Sequence, residues 1–387
     1  MALKNNTWTL NNWYAQNVAG NVTYASEGML FVWGDNPRGE LGLNDVVDYS
    51  SPTQIPGSWS RYGGGGRIAM MVNTSGELYT TGRNTYGSLG QNDTTDRSSP
   101  TQVPGTTWAA VACVGQWMGA FATKTDGTLW AWGSNSETES KGVLGQNNLV
   151  NYSSPVQIPG TTWSTNPNHL ATTGNGSVHA IKTDGTYWCW GYQSAGQLGQ
   201  GQTSTYYSSP VQVPGTTWSF VGTRGPNGTG GAIKTDGTLW TWGYNPQGEL
   251  GHNNRTAYSS PKQVPGTDWS IVNNGSKVTG AIKTDGTLWI WGDNTYGSVG
   301  DNSTIKRSSP VQIGSGTDWS WVRPGELTGL ASKTDGTLWV WGWNQNGQLG
   351  LNSRANYSSP VQVPGDWDIS KTRLSYFEGG AAISAIT

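Results

Sequence analysis

Short apolar stretches alternate with polar, glycine-rich segments along the whole chain, and their period is that of strands. In the segment TLWAWG, Trp130 and Trp132 fall on one side of an extended backbone while Leu129 and Ala131 fall on the other. Both sides are apolar, so the strand needs cover on both. An Asp-Gly pair precedes it, a strong hairpin signal because glycine accepts positive φ. The run before that turn, AIKT in most copies, supplies the partner strand. After the tryptophans a loop of the form GxNxxGQLG leads to PVQVPG, a short strand that proline confines to an edge. A last strand opens at the tryptophan of TTWS or TDWS.

This block recurs seven times. Its best-preserved parts begin at Glu27, Ser75, Asp126, Asp184, Asp236, Asp285 and Asp335, and the prolines of the edge strand keep step at Pro52, Pro100, Pro155, Pro210, Pro261, Pro310 and Pro360. A period of about 50 residues marks a supersecondary unit that buries its apolar faces only against its neighbours. Four short strands per unit, apolar on both faces, predict an all-β chain forming a single seven-bladed β-propeller of four-stranded antiparallel blades. A stacked β-solenoid accounts for the pattern less well, since its coils are shorter and more regular.

The pattern DGxLWxWGxNxxGQLG resembles the repeat of the regulator of chromosome condensation family, over roughly residues 25 to 387. That resemblance implies a seven-bladed propeller, here a phage or bacterial member. It constrains function weakly, because the same repeat serves nucleotide exchange, chromatin binding, ubiquitin ligation and inhibitor binding. Two units depart from it: Thr81 replaces the tryptophan of WG in the second, and SETESK swells the loop of the third.

Eight tryptophans are placed to start a strand, from Trp8 to Trp367, against seven copies of the other strands. The C-terminal one keeps its VPG and is followed by GGAAIS, which matches the AIK strand. Residues 367–387 are therefore expected to complete the blade containing Met29 to Trp33, so that residues 21–387 form the propeller. Residues 1–20, with Trp8, Trp13 and Tyr14, are left as a docking arm or as cover for an edge.

Composition narrows the partners. Charged residues make up 12% of the 387 and the net charge is -2, which gives no basic footprint for nucleic acid. No signal peptide and no apolar stretch long enough for membrane insertion is evident. Neutral Asn, Thr, Ser, Gly and Tyr cover the surface, a style of secreted and virion proteins. Cys113 and Cys189 occupy unrelated repeat positions and read as buried apolar residues.

Because recurring residues build the blade, individuality is sought among the departures. Trp343, Tyr192 and Tyr244 follow WG, where other units carry Asp35, Ser134 or Asp293. The hairpin before the AIK strand varies most, and it holds Arg67, Trp117, Met118, Lys277, Glu326 and Phe377. All copies are expected on one side of the disc, as a ring of recognition loops. The histidines His169, His179 and His252 sit in no catalytic motif, and His179 reads as structural. No metal-ligand spacing and no phosphate loop appears, so no catalytic residue, metal or cofactor is expected.

These features point to a non-enzymatic structural or adhesion protein. The expected setting is a phage virion, as tail, fibre or capsid decoration in a larger symmetric assembly, binding other virion or surface proteins; a cytoplasmic location is the alternative. Two other functions stay open. One is a propeller lectin for host-surface glycans, with Trp117, Trp343, Tyr192 or Tyr244 as stacking platforms. The other is a partner-binding regulator resembling the nucleotide-exchange propellers.

Overall fold

The computed structural model describes residues 30–34, 36–65, 67–114, 119–137, 140–174, 176–203, 205–222, 228–325, 327–345, 347, 349–364, 373–377 and 380–384. It is an all-β propeller. Six four-stranded antiparallel sheets correspond to the second through seventh units, each with its strands in chain order. In the third unit they are Trp108–Cys113, Gly119–Lys124, Leu129–Gly133 and Tyr152–Ile158. The tryptophan-led strands of neighbouring sheets lie against one another, so they face the centre and the SSPxQ strands form the outer edges. The proline of each outer strand thus stands where a ladder donor is not needed.

The expected seven complete blades are corrected to six. The first unit contributes Leu30–Gly34 paired with Tyr49–Ile55, and the C-terminal end contributes the hairpin Arg373–Phe377 with Gly380–Ser384. Gly380–Ser384 lies beside Leu30–Gly34, but no common hydrogen-bonded sheet joins the two halves among the described residues. The physical reason is the split of one repeat between opposite ends of the chain.

Neighbouring units are fastened by the WG tryptophan. Its indole Nε1 donates to a carbonyl in the loop of the preceding unit: Trp132 to Ser88 O, Trp190 to Val143 O, Trp242 to Gln197 O, Trp291 to Glu249 O and Trp341 to Ser298 O, all at 2.7–2.9 Å. All five rings are fully buried. The loops also reach forward, as when the amides of Asn92 and Asn147 bond to Ser153 O and Ser208 O of the next outer strand.

Each loop is tied within itself by the asparagine of GxN. Asn84 Oδ1 accepts from the Leu89 amide while its Nδ2 donates to Asp93 O, and Asn36, Asn135, Asn245, Asn294 and Asn344 repeat the arrangement. All six are buried. Such a side chain replaces backbone partners that an irregular buried loop lacks.

At the opposite end of the blades, the lysine of KTDG lies between two indoles. Lys124 Nζ stands 4.6 and 4.7 Å from the centroids of Trp108 and Trp130, and Lys182, Lys234, Lys283 and Lys333 do the same in their units. Asp126 accepts from the amide and hydroxyl of Thr128, whose oxygen accepts from Trp130 Nε1. Lysine and aspartate are thus turn and packing elements. Cys113 and Cys189 are buried and unbridged, and burial pushes both thiols up to about 12. Trp321 is half-buried against the cluster of Leu338 and Val363.

Candidate functional site: the hairpin face

The first-to-second strand hairpin and the loop after WG emerge at the same end of each sheet, and one backbone contact locks them together. A Cβ on the WG glycine would meet the hairpin carbonyl: 2.2 Å from Arg67 O at Gly82, from Gly176 O at Gly191 and from Lys277 O at Gly292. Each of these glycines has positive φ. The next residue then donates its amide to that same carbonyl. Arg83 bonds to Arg67, Tyr192 to Gly176, Tyr244 to Gly228, Asp293 to Lys277 and Trp343 to Leu327, at 2.8–3.3 Å.

In these five units the residue after the glycine is therefore held beside the variable hairpin by the same backbone hydrogen bond. Arg67 is exposed next to Arg83 in the second unit. Tyr192 is half-buried and Tyr244 is 40% exposed in the fourth and fifth. Trp343 is half-buried, with the Tyr296 ring of the preceding unit 6.3 Å away. Trp117, Met118, Glu326, Trp8, Trp13 and Tyr14 lie outside the described residues. Phe377 ends a C-terminal strand.

The sixth unit adds an acidic residue and a lysine to this face. Lys306 Nζ approaches Asp293 Oδ1 at 3.6 Å and donates to Gln247 of the preceding unit. Burial alone would raise the Asp293 carboxyl, but Thr295 and the charges of Lys306 and Lys277 outweigh it and hold it low. Beneath it lies Glu249, only 1% exposed. Its Oε2 accepts from the Gln247 amide at 2.7 Å, while burial, with a further push from Asp293, raises the carboxyl to about 7.

The histidines form no catalytic array. His179 is fully buried between Ser177 Oγ at 3.0 Å and Tyr187 Oη at 2.7 Å, and burial lowers it to about 3. His169 contacts Ser164 Oγ and Ser219 O; His252 contacts Thr241 Oγ1. Two serines thus meet histidines, and no carboxylate completes either pair among the described residues. Nor do these residues contain a metal-binding group of three or more His, Cys, Asp or Glu, or a helix long and apolar enough to cross a membrane.

The family model for the RCC1-like domain matches residues 29–386. The chain belongs to the RCC1-like family. Among curated RCC1-like relatives, the human E3 ubiquitin-protein ligase HERC2 is 28% identical over 141 residues, 36% of this chain and 3% of that protein. The zebrafish protein RCC2 homolog is 30% identical over 129 residues, 33% of this chain and 25% of that protein. The aligned region thus spans a quarter or less of these relatives. Solved structures share the fold end to end. Prp20p from Saccharomyces cerevisiae superposes with a TM-score of 0.74 at 18% identity, covering 93% of this chain and 91% of that one. Human WBSCR16 gives 0.74 at 19% identity, covering 92% and 98%.

Proposed function

We propose that this RCC1-like propeller is a non-enzymatic, partner-binding regulator that recognises a protein through the hairpin face. The observation that carries the reading is that one backbone hydrogen bond holds the variable residue after the glycine against the variable hairpin in five units, which is how a rigid scaffold presents recognition loops. The relatives favour the same class: Prp20p is described by its binding to Gsp1p and histones. The expected virion role rested on the neutral polar, tryptophan-rich repeat, the missing signal peptide and a possible docking arm, and these relatives lend it no support. A regulator needs a face with its own chemistry, here two arginines on one side and Tyr244, Trp343 and Tyr296 on the other.

Affinity capture with the intact chain tests this. Replacing Arg67 and Arg83 by Glu, or Tyr244 and Trp343 by Ala, is expected to weaken the captured partner about tenfold or more per pair at unchanged melting temperature. Retention of the partner by both double variants, with its loss in a variant of the opposite face such as Asp126→Ala, would overturn it.

We also propose that the two half-sheets at the chain ends act as one closing blade. Their adjacency supports it. Truncation after Pro364 is then expected to lower the melting temperature, and an unchanged melting curve would reject it.

A further inference from the structure

In six of the seven units the outer strand leaves through Val-Pro-Gly or Ile-Pro-Gly, as at residues 103–105 and 213–215. Between the sixth and seventh units the chain reads Ile313, Gly314, Ser315, Gly316, one residue longer and without proline. Gly314 has φ +66°, and a Cβ built there meets nothing within 4 Å. A crevice of about 520 Å³ opens at this point, with Gly314 and Gly316 in its wall. That volume lies in the range of small-molecule sites.

A second departure meets the first. Gln91, Gln146 and Gln200 each donate their amide to a carbonyl of their own outer strand. The sixth unit has Asp301 there, which cannot donate, and its carboxylate instead takes Arg307 at 2.6 Å. Asp301 and Arg307 line the crevice together with Trp319, Trp339, Lys333 and Gln312.

We propose that this crevice binds a neutral sugar residue of a glycan. The half-buried indole of Trp339 offers an apolar platform, and the buried Trp319 closes the wall behind it. Both cations are already matched, Arg307 by Asp301 and Lys333 by Asp318 at 3.2 Å. The wall therefore carries balanced charge and offers a charged ligand no uncompensated partner. A pyranose brings an apolar C–H face for the indole and neutral hydroxyls for Gln312 and the paired charges, whose remaining lone pairs and N–H groups stay usable. The site is remote in kind from Tyr192, Tyr244 and Trp343, since its platform is a repeated, half-buried tryptophan that shares a crevice wall with the changed linker.

Saturation-transfer NMR on the full chain tests the proposal, using the methyl pyranosides of glucose, galactose, mannose and N-acetylglucosamine, with methyl glucuronide as the charged control. At least one neutral pyranoside is expected to bind in the millimolar range, weakened at least about tenfold by Trp339→Ala. Because Trp339 also packs on Lys333, a second variant exchanges Gly314 and Ser315 for one proline, restoring the spacing of the other units. It is expected to abolish binding while the melting temperature is kept or raised. No binding by any neutral pyranoside, binding that survives the proline exchange, or tighter binding of the glucuronide would each overturn the proposal.

Discussion

At the junction of the second and third units, Trp132 Nε1 reaches Ser88 O; at the junction of the first and second, Thr81 Oγ1 reaches Gly39 O at 2.7 Å. Two side chains of very different size thus reach the preceding loop at carbonyls one repeat position apart, since Ser88 corresponds to Glu40, and Thr81 Oγ1 also lies 2.7 Å from Arg97 O of its own sheet. The missing volume is supplied from elsewhere on the same face of the second sheet. Tyr62 stands where other units have Val111, Val221, Val272 and Val322, and Met71 where they have Ala122, Ala232, Ala281 and Ala331. Tyr62 and Met71 are directly cross-strand, and both are buried in one cluster with Leu41 and Ala69. The lesson is that a departure from the repeat need not be functional. It is structural when its neighbours depart in the compensating direction.

The largest break in this comparison is to remove the ring where nothing compensates. Trp242→Ala is expected to cost about 3–5 kcal/mol in chemical denaturation, since a buried tryptophan and its bond go together. Next comes the junction of Trp291, whose acceptor residue Glu249 holds a buried carboxyl. Its folded pKa, about 7, is raised, so its contribution is fully present below the ordinary glutamate range and is lost as pH rises through 7. Glu249→Gln should flatten stability between pH 5 and 8 and gain roughly 2 kcal/mol at pH 8; Gln197 already serves this position in the fourth unit. A wild-type stability independent of pH over that range would refute the assignment.

Thr81→Trp sharpens the contrast from the other side. With Tyr62 and Met71 in place the ring is overpacked, and a cost of about 1–3 kcal/mol is expected. The triple variant with Tyr62→Val and Met71→Ala should recover most of it, so a triple variant no better than the single would show that volume is not the compensated quantity. The smallest effect is Thr81→Val, which keeps the shape and removes the bond, at about 1 kcal/mol by the same denaturation assay.

Much of the fold was readable because it is local. Alternation in LWAWG, the Asp-Gly turn and the proline of SSPVQ each act within a few residues, and they placed the strands, the hairpins and the outer edge. The crowding of variable residues on one face followed from strand parity alone. What escaped notice acts between units. Asn84 reads as one polar loop residue until its two bonds are traced, although the recurrence of asparagine two residues after the strand-ending glycine in six units is a visible signal. Lys124 stands two residues before the Asp-Gly turn, and its two indole partners are Trp108 and Trp130, which no short window brings together. The split blade was expected as a full seventh because counting motifs does not count ladders. The linker at Gly314 was legible as a missing proline, but only the opened wall gives it meaning.

The fastening of each loop to the following unit has a direction, always from the earlier unit to the later. On a ribosome this means that every emerging unit leaves one socket empty until its successor is made. Synthesis therefore proceeds with a single unfinished edge that moves along the chain. An inserted or deleted copy must carry both its loop and the strand that receives the preceding one, so the chain lengthens or shortens gracefully only in whole units.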